Sequence, residues 1–279
     1  MLHTILKGVK YATAPLLEGA MLPVPFGPLR GQRMRYSRHN SLNVTLGRHE
    51  LENFYLLSKL TKDRDLIPSN GAIADVGGNV GCYALWFARH AVPEGTVYSF
   101  EPNPAMARVI RDNLAANRVD NVVLEELVCA DELGEVTFYL GWHHHVSSLD
   151  AEWAAGTKGG STATTLPATT LDAYFDEAIH GRPDLVKIDI EGGGVWALPG
   201  MRRLFAEERV LGLIESHNPA EDRAISDIVM NLNYRALRVD TFAFVEKPEA
   251  TFPDPDGITG TMLLVPQELA NRVRRLLEN

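Results

Sequence analysis

Short runs of consecutive apolar residues alternate along this chain with segments whose apolar positions recur every three or four residues. Residues 71–76 form a short apolar run that ends in glycines and reads as a buried parallel strand. Residues 80–91 follow as an apolar helix, and residues 96–100 as a second strand. Asn103 then caps a helix with Pro104 in its first turn, and Met106, Val109, Ile110 and Leu114 fall on one face of it. Residues 121–128 read as a third strand, and residues 135–140 as a short strand after a turn at Gly134. Residues 156–170, rich in Gly, Ser, Thr and Ala, read as a mobile surface loop. Residues 185–190 and 210–214 are the fourth and fifth buried strands. Residues 234–239, 242–245 and 261–265 read as late, antiparallel neighbours, and a last helix carries Leu269, Val273 and Leu276 on one face. Strands alternating with helices predict an α/β, doubly wound, mostly parallel sheet. In such sheets ligands sit beyond the carboxyl ends of the strands, where strand order reverses.

Composition adds exclusions. With 45% apolar and 23% charged residues in 279, the chain is neither disordered nor a fibre. A net charge of -9 argues against non-specific nucleic-acid binding, which needs a surplus of Lys and Arg. Cys82 and Cys129 lie in no Cys-x-x-Cys pair and read as reduced, buried thiols of a cytoplasmic protein. Neither a spanning apolar segment nor a secretory signal is expected. Charge is uneven, however. Residues 1–48 carry Lys7, Lys10, Arg30, Arg33, Arg35, Arg38 and Arg48 against Glu18 alone, a balance of +6 on a body that must sum to -15. This Pro-containing basic arm either folds back along the acidic body or meets an anionic substrate, a membrane face or a partner, a second copy of the chain included.

The first strand end holds the clearest chemistry. Asp75-Val76-Gly77-Gly78-Asn79-Val80-Gly81 leaves a strand and enters a helix, and its glycines let the backbone turn sharply beside a ligand. Glu101 ends the next strand, where a carboxylate can accept both hydroxyls of a ribose. A dinucleotide fingerprint would need glycine at 77, 79 and 82, but Asn79 and Cys82 stand there, and there is no Gly-Lys-Ser/Thr phosphate loop. Asp75 would repel a pyrophosphate and suits a ligand bearing an ammonium, such as S-adenosylmethionine.

At the later strand ends, Lys187, Asp189 and Glu191 alternate and are expected to share a face, with His217 following the fifth strand. Three charges on a buried strand are costly unless paired or used. His217, with an ordinary pKa near 6.5, or Asp189 is a candidate to take a proton from a hydroxyl. A structural Lys187–Asp189 ion pair and a divalent cation held by Asp189, Glu191 and His217 are the competing readings, and no metal is assigned. His143, His144 and His145 cannot all point one way, so they read as a surface or lid loop.

Residues 73–81 resemble the first motif of class I S-adenosylmethionine-dependent methyltransferases, and more narrowly that of the FkbM family. Phe100-Glu101-Pro102-Asn103-Pro104, Ser147-Ser148-Leu149, Thr170-Leu171-Asp172, residues 186–192 and Glu215-Ser216-His217 continue the likeness in order, over about residues 45–265. The resemblance implies a Rossmann-like, seven-stranded sheet and methyl transfer to a hydroxyl of a sugar, glycan or secondary metabolite, with S-adenosylhomocysteine as product. It implies that Gly77, Gly78, Asn79 and Gly81 wrap the methionine end of the cofactor and that Glu101 holds the ribose. Pro102 and Asn103 would shape the adenine side, and Ala130 and Asp131 would meet the ring. The chain then divides into an arm, 1–48, and a methyltransferase domain, 49–279. Two departures stand out. Gly78 replaces a usual alanine, and Gly194 stands where Glu-Gly-Ala-Glu would put a second glutamate. The second departure keeps a non-catalytic cofactor-binding or scaffold protein open as the alternative.

Overall fold

The computed structural model describes residues 17–37, 42–141, 147–155, 160–176, 180–246 and 260–278. Two antiparallel strands, β1 (Met21–Pro23) and β2 (Arg33–Arg35), begin the described chain. Helix Leu51–Leu60 leads into the main sheet. Its strands are β3 (Ala72–Val76), β4 (Thr96–Phe100), β5 (Val122–Glu125), β9 (Leu185–Ile188), β10 (Leu211–Ser216), β11 (Tyr234–Arg238), β12 (Ala243–Phe244) and β13 (Gly260–Pro266). A separate three-stranded sheet holds β6 (Val128–Cys129), β7 (Gly134–Gly141) and β8 (Ser161–Thr169) in the order β6-β8-β7.

The main sheet runs β12-β11-β13-β10-β9-β3-β4-β5. The five strands from β10 to β5 are parallel; β13 pairs antiparallel with both β10 and β11, so β11 runs with the five, and β12 pairs antiparallel with β11. This is a doubly wound, Rossmann-like sheet of eight strands rather than the expected seven, the eighth being the two-residue edge strand β12. From β3 the chain builds outward through β4 and β5, then returns to lay β9 and β10 on the other side. Strand order therefore reverses between β3 and β9, which opens a crevice at their carboxyl ends.

Alternation along each strand divides the core. Ile73, Leu185, Leu213 and Leu263 pack on one face with helix Leu51–Leu60 and the segment 80–92. Their neighbours Ala74, Val186, Ile214 and Leu264 pack on the other with Leu171, Phe175, Phe205 and Ile225. Both faces are covered, which is why these strands read as near-continuous apolar runs. The first crossover helix, Cys82–Trp86, continues as a wider π turn over Phe87–Ala91.

Two expectations change. The run 121–128 is not one strand: it bends after Glu125, leaving β5 at the edge of the main sheet and carrying Val128 and Cys129 to β8. The segment expected to be a loop holds β8, whose Ser161–Thr169 register with β7 runs from Gly141↔Ser161 to Gly134↔Ala168. Threonines at 162, 164, 165 and 169 favour a pleated strand, a preference masked by the flanking glycines. Residues 143–145, with their three histidines, lie outside the described residues.

The described part of the basic segment lies on the body. Asn117 Oδ1 accepts the Arg33 N–H at 2.8 Å, Asn113 Oδ1 accepts that of Arg35 at 2.6 Å, and the Arg35 guanidinium pairs with Asp112. Asn113 Nδ2 donates to the Val80 carbonyl at 2.8 Å, which links this hairpin to the glycine turn.

Candidate functional site

The glycine turn is shaped by what lies close to it. Gly77 has φ 86°, and a Cβ there would stand 1.9 Å from the Asp189 carbonyl, so β3 and β9 can approach only over a glycine. At Gly78 a Cβ would meet Ser99 Oγ at 2.5 Å, so the alanine usual in the family has no room beside this serine. The Gly77 and Gly78 amides both donate to the Phe100 carbonyl at 3.0 Å. Gly81, at φ 83°, opens helix Cys82–Trp86.

Glu101 is buried at the end of β4. One oxygen accepts the Asn79 N–H at 2.8 Å and the other the Asn103 N–H at 2.9 Å. Burial pushes its pKa up to about 7 against the pull of those two amides. Asn103 caps helix Pro104–Asn117 through Ala105 N.

Two clefts open at the carboxyl ends. The first, about 610 Å³ including its mouth, is lined by Phe100, Glu101, Pro102, Leu127, Cys129 and Phe138, with Ser147, Ser148 and Leu149 at its rim. The second, about 880 Å³, is lined by His49, Glu50, Tyr83, Lys187, Glu215 and His217, with Val44 at its edge. Gly77, Asn79, Asp189 and Glu191 line both, so these four residues form the junction.

Other expected positions lie elsewhere. Asp75 lines neither cleft. It is fully buried, accepts Ser99 Oγ at 3.2 Å and sits 3.7 Å from Lys187 Nζ. Ala130 is buried, with its amide donating to Thr169, and Asp131 is exposed. The turn toward β8 carries both away, and Leu127, Val128 and Cys129 line the cleft instead. Thr170 and Asp172 act structurally: Thr170 caps helix Leu171–Tyr174, and Asp172 accepts the Arg203 and Leu204 amides.

Strand β9 ends at Ile188, and Glu191 has φ 49°, so the alternation expected for Lys187, Asp189 and Glu191 stops at Asp189. All three still line the second cleft. Lys187 Nζ lies 3.6 Å from Asp189 and above the Tyr83 ring, 4.7 Å from its centroid. His217 Nε2 is 3.4 Å from Asp189 and 3.9 Å from both Glu191 and Glu215, while Nδ1 is 3.3 Å from Glu221. Burial disfavours the charged ring, but hydrogen bonds and charge from Asp189 and Glu221 push its pKa up to about 11. Asp189 is driven well below the ordinary range; burial opposes this, and Lys187 and His217 outweigh it. Burial and the Asp189 charge push Glu191 and Glu215 up to about 7. At neutral pH His217 is therefore an imidazolium, and the groups poised to take a proton are Glu191 and Glu215. Asp189, Glu215 and His217 offer ligand atoms within 4.8 Å of one another. These three could hold a metal ion, with Glu215 in the place that the sequence reading gave to Glu191.

Sequence reading did not single out His49, Glu50 or Tyr83. Glu50 has φ 45° and precedes helix Leu51–Leu60 without capping it. Its carboxylate instead accepts Asn53 Nδ2 at 3.0 Å, the Tyr83 hydroxyl and the His49 ring. Glutamate is not a favoured N-cap, so this position carried no signal in the sequence; it lines the cleft from a left-handed backbone.

This sheet and its glycine turn define a class I, Rossmann-like methyltransferase fold. The model of the methyltransferase FkbM domain matches residues 75–244, more than half of the chain, and the protein belongs to that family. A methyltransferase FkbM from Methylobacillus flagellatus is similar at 16% identity over 80% of this chain and 52% of its own, with a TM-score of 0.46. The chain thus spans about half the length of that protein. A precorrin-6y C5,15-methyltransferase from Geobacter metallireducens gives 18% identity over 68% and 73%, with a TM-score of 0.42. An O-methyltransferase from Bacillus cereus in complex with SAH gives 12% identity over 94% and 90%, with a TM-score of 0.44. No curated protein matches the chain. Among the described residues no helix is long and apolar enough to cross a membrane.

Proposed function

We propose that this protein is an S-adenosylmethionine-dependent O-methyltransferase acting on a hydroxyl of a sugar, glycan or secondary metabolite. The observation that carries the reading is the junction: an apolar cleft with a buried carboxylate meets a carboxylate-rich cleft at Gly77, Asn79, Asp189 and Glu191. The cofactor, when bound, supplies an electrophilic methyl on a sulfonium. Glu101 holds the ribose hydroxyls through lone pairs not used by the Asn79 and Asn103 amides. Pro102, Leu127, Cys129 and Phe138 would hold the adenine, and the 77–81 turn the methionine part.

The acceptor enters the second cleft, between His49 and Glu50 on one wall and Glu215 and His217 on the other. In the division into an arm, 1–48, and a catalytic unit, 49–279, Val44 of the arm reaches this wall. With that methyl supplied, O–C bond formation would accompany S–C bond breaking, and the hydroxyl proton would pass to Glu191, the near-neutral carboxyl at the junction. Asp189 and the His217 imidazolium fix the hydroxyl in line. Positioning supplies much of the rate, and proton removal adds roughly 10²–10⁴-fold.

Calorimetry with S-adenosylmethionine and S-adenosylhomocysteine tests the first part: micromolar binding is expected, lost in Glu101→Ala. No heat with either compound overturns the reading. Transfer of labelled methyl to a panel of hydroxylated glycosides and polyketides tests the second. Binding without transfer to any of them would favour the non-catalytic alternative.

A further inference from the structure

The carboxylate of Glu221 is buried, yet it comes from helix Pro219–Asn231, outside both clefts. One oxygen accepts the Gly194 N–H at 2.8 Å. The other accepts the His217 N–H at 2.6 Å and lies 3.3 Å from Nδ1 of the same ring. It therefore ties the loop after β9, which carries Asp189 and Glu191, to the loop after β10, which carries His217. A Cβ at position 194 would stand 2.7 Å from Glu221 Oε1. The missing side chain at 194 is what leaves room for this carboxylate.

We propose that Glu221 is a positioning residue for methyl transfer: it fixes the His217 ring with Nε2 turned into the junction, and Gly194 is glycine to admit it. The inference rests on the methyltransferase reading. Without Glu221 the ring's orientation would rest on the Nε2–Asp189 contact at 3.4 Å and the packing of Trp153 alone. The Nε2 side meets Asp189, Glu191 and Glu215, with Lys187 behind Asp189 and the His49–Glu50 pair across the cleft. The Trp153 ring closes the remaining side, 6.0 Å from His217 between centroids. With Nδ1 turned toward Glu221 at 3.3 Å, the ring presents Nε2 to the cleft. A carboxylate that bonds a ligand-facing histidine from behind fixes both its orientation and its charge.

The test uses the full chain with S-adenosylhomocysteine as probe and nuclear magnetic resonance of the imidazoles, with the His217 signals assigned through His217→Gln. Glu221→Gln should shift the Nδ1 signal of His217 and lower its titration midpoint by at least tenfold in proton affinity. Gly194→Ala, which crowds Glu221, should do so in part. Asp222→Asn, a neighbouring buried carboxylate that accepts Ser216 Oγ at 2.8 Å, should leave the His217 signals in place although it weakens the fold. S-adenosylhomocysteine should bind all three variants within about twofold of wild type. Unchanged His217 signals in Glu221→Gln, or an equal shift in Asp222→Asn, overturn the inference while leaving the methyltransferase reading intact. Failure of the wild type to bind the probe overturns that reading instead.

Discussion

Asp75 and Lys187 stand opposite each other on the adjacent parallel strands β3 and β9, with Nζ 3.7 Å from Oδ1. Ser99 flanks Asp75 on β4, so Ser99, Asp75 and Lys187 form one polar row across three strands of an otherwise apolar face. Lys187 also reaches Asp189 at 3.6 Å and the Gly77 carbonyl at 3.3 Å. One buried cation thus braces the floor of the glycine turn and the first residue of the junction.

Lys187→Met should therefore cost about 3–5 kcal/mol at neutral pH, because it strands two carboxylates. The ammonium's pKa is raised above its ordinary value by Asp189 and Asp75 against burial, so its contribution is constant through neutral pH and is lost only in strong alkali. In the variant Asp75 and Asp189 would take up protons on folding, so the deficit should shrink as pH falls. Denaturant melts of the variant at pH 5 and pH 8 check this; an equal deficit at both would refute it.

Cofactor affinity should depend on pH through Glu101. Its folded pKa of about 7 lies above the ordinary 4.5, so the unliganded fold holds an extra proton between these values. Its contribution to stability therefore declines as pH rises from about 4.5 to 7 and is flat above. Ribose hydroxyls donate to the ionised form. Binding of S-adenosylhomocysteine should thus be about tenfold weaker at pH 6 than at pH 8. Calorimetry at the two pH values reads the ratio.

Gly77→Ala should destabilise the fold by about 3 kcal/mol or more. The new methyl meets the Asp189 carbonyl at 1.9 Å, on a backbone at φ 86° that L-residues disfavour. Thermal denaturation measures it, and an unchanged melting temperature would contradict the close approach of β3 and β9.

Asn113→Ala should cost roughly 2 kcal/mol, since it leaves the Arg35 N–H and the Val80 carbonyl without their partner. Because Val80 belongs to the glycine turn, cofactor affinity should fall as well, by severalfold. Paired melts and binding titrations separate the two effects.

Glu191→Gln should lower turnover by about 10²-fold or more without changing cofactor affinity. The wild-type rate should rise with pH through about 7, where Glu191 loses its proton. Rate against pH on any acceptor found by labelled-methyl transfer checks both, and a flat acid limb would remove Glu191 as the proton acceptor.

The local signals are those that short stretches of chain impose on themselves. Continuous apolar runs placed β3, β4, β9 and β10, because each strand is covered on both faces. The glycine run from Gly77 to Gly81 and Glu101 marked the first cleft, because a sharp turn needs particular residues wherever it occurs. Composition misled at β8, where threonine's strand preference was hidden by neighbouring glycines, and at residues 121–128, where one apolar run serves two sheets. Periodicity along β9 implied that Glu191 continued the row, whereas the chain turns left-handed there.

What the amino-acid sequence by itself determined is the buried parallel strands of the main sheet, the glycine turn beside the first cleft and the family to which the chain belongs. Only the tertiary structure decided that Asp75 lies beside Lys187 and lines neither cleft, that His217 stands among carboxylates from four positions, and that Glu50 lines the second cleft. The physical reason is range. Propensity and periodicity act over a few residues, whereas strand register and the field at a buried group sum over residues that only packing brings together.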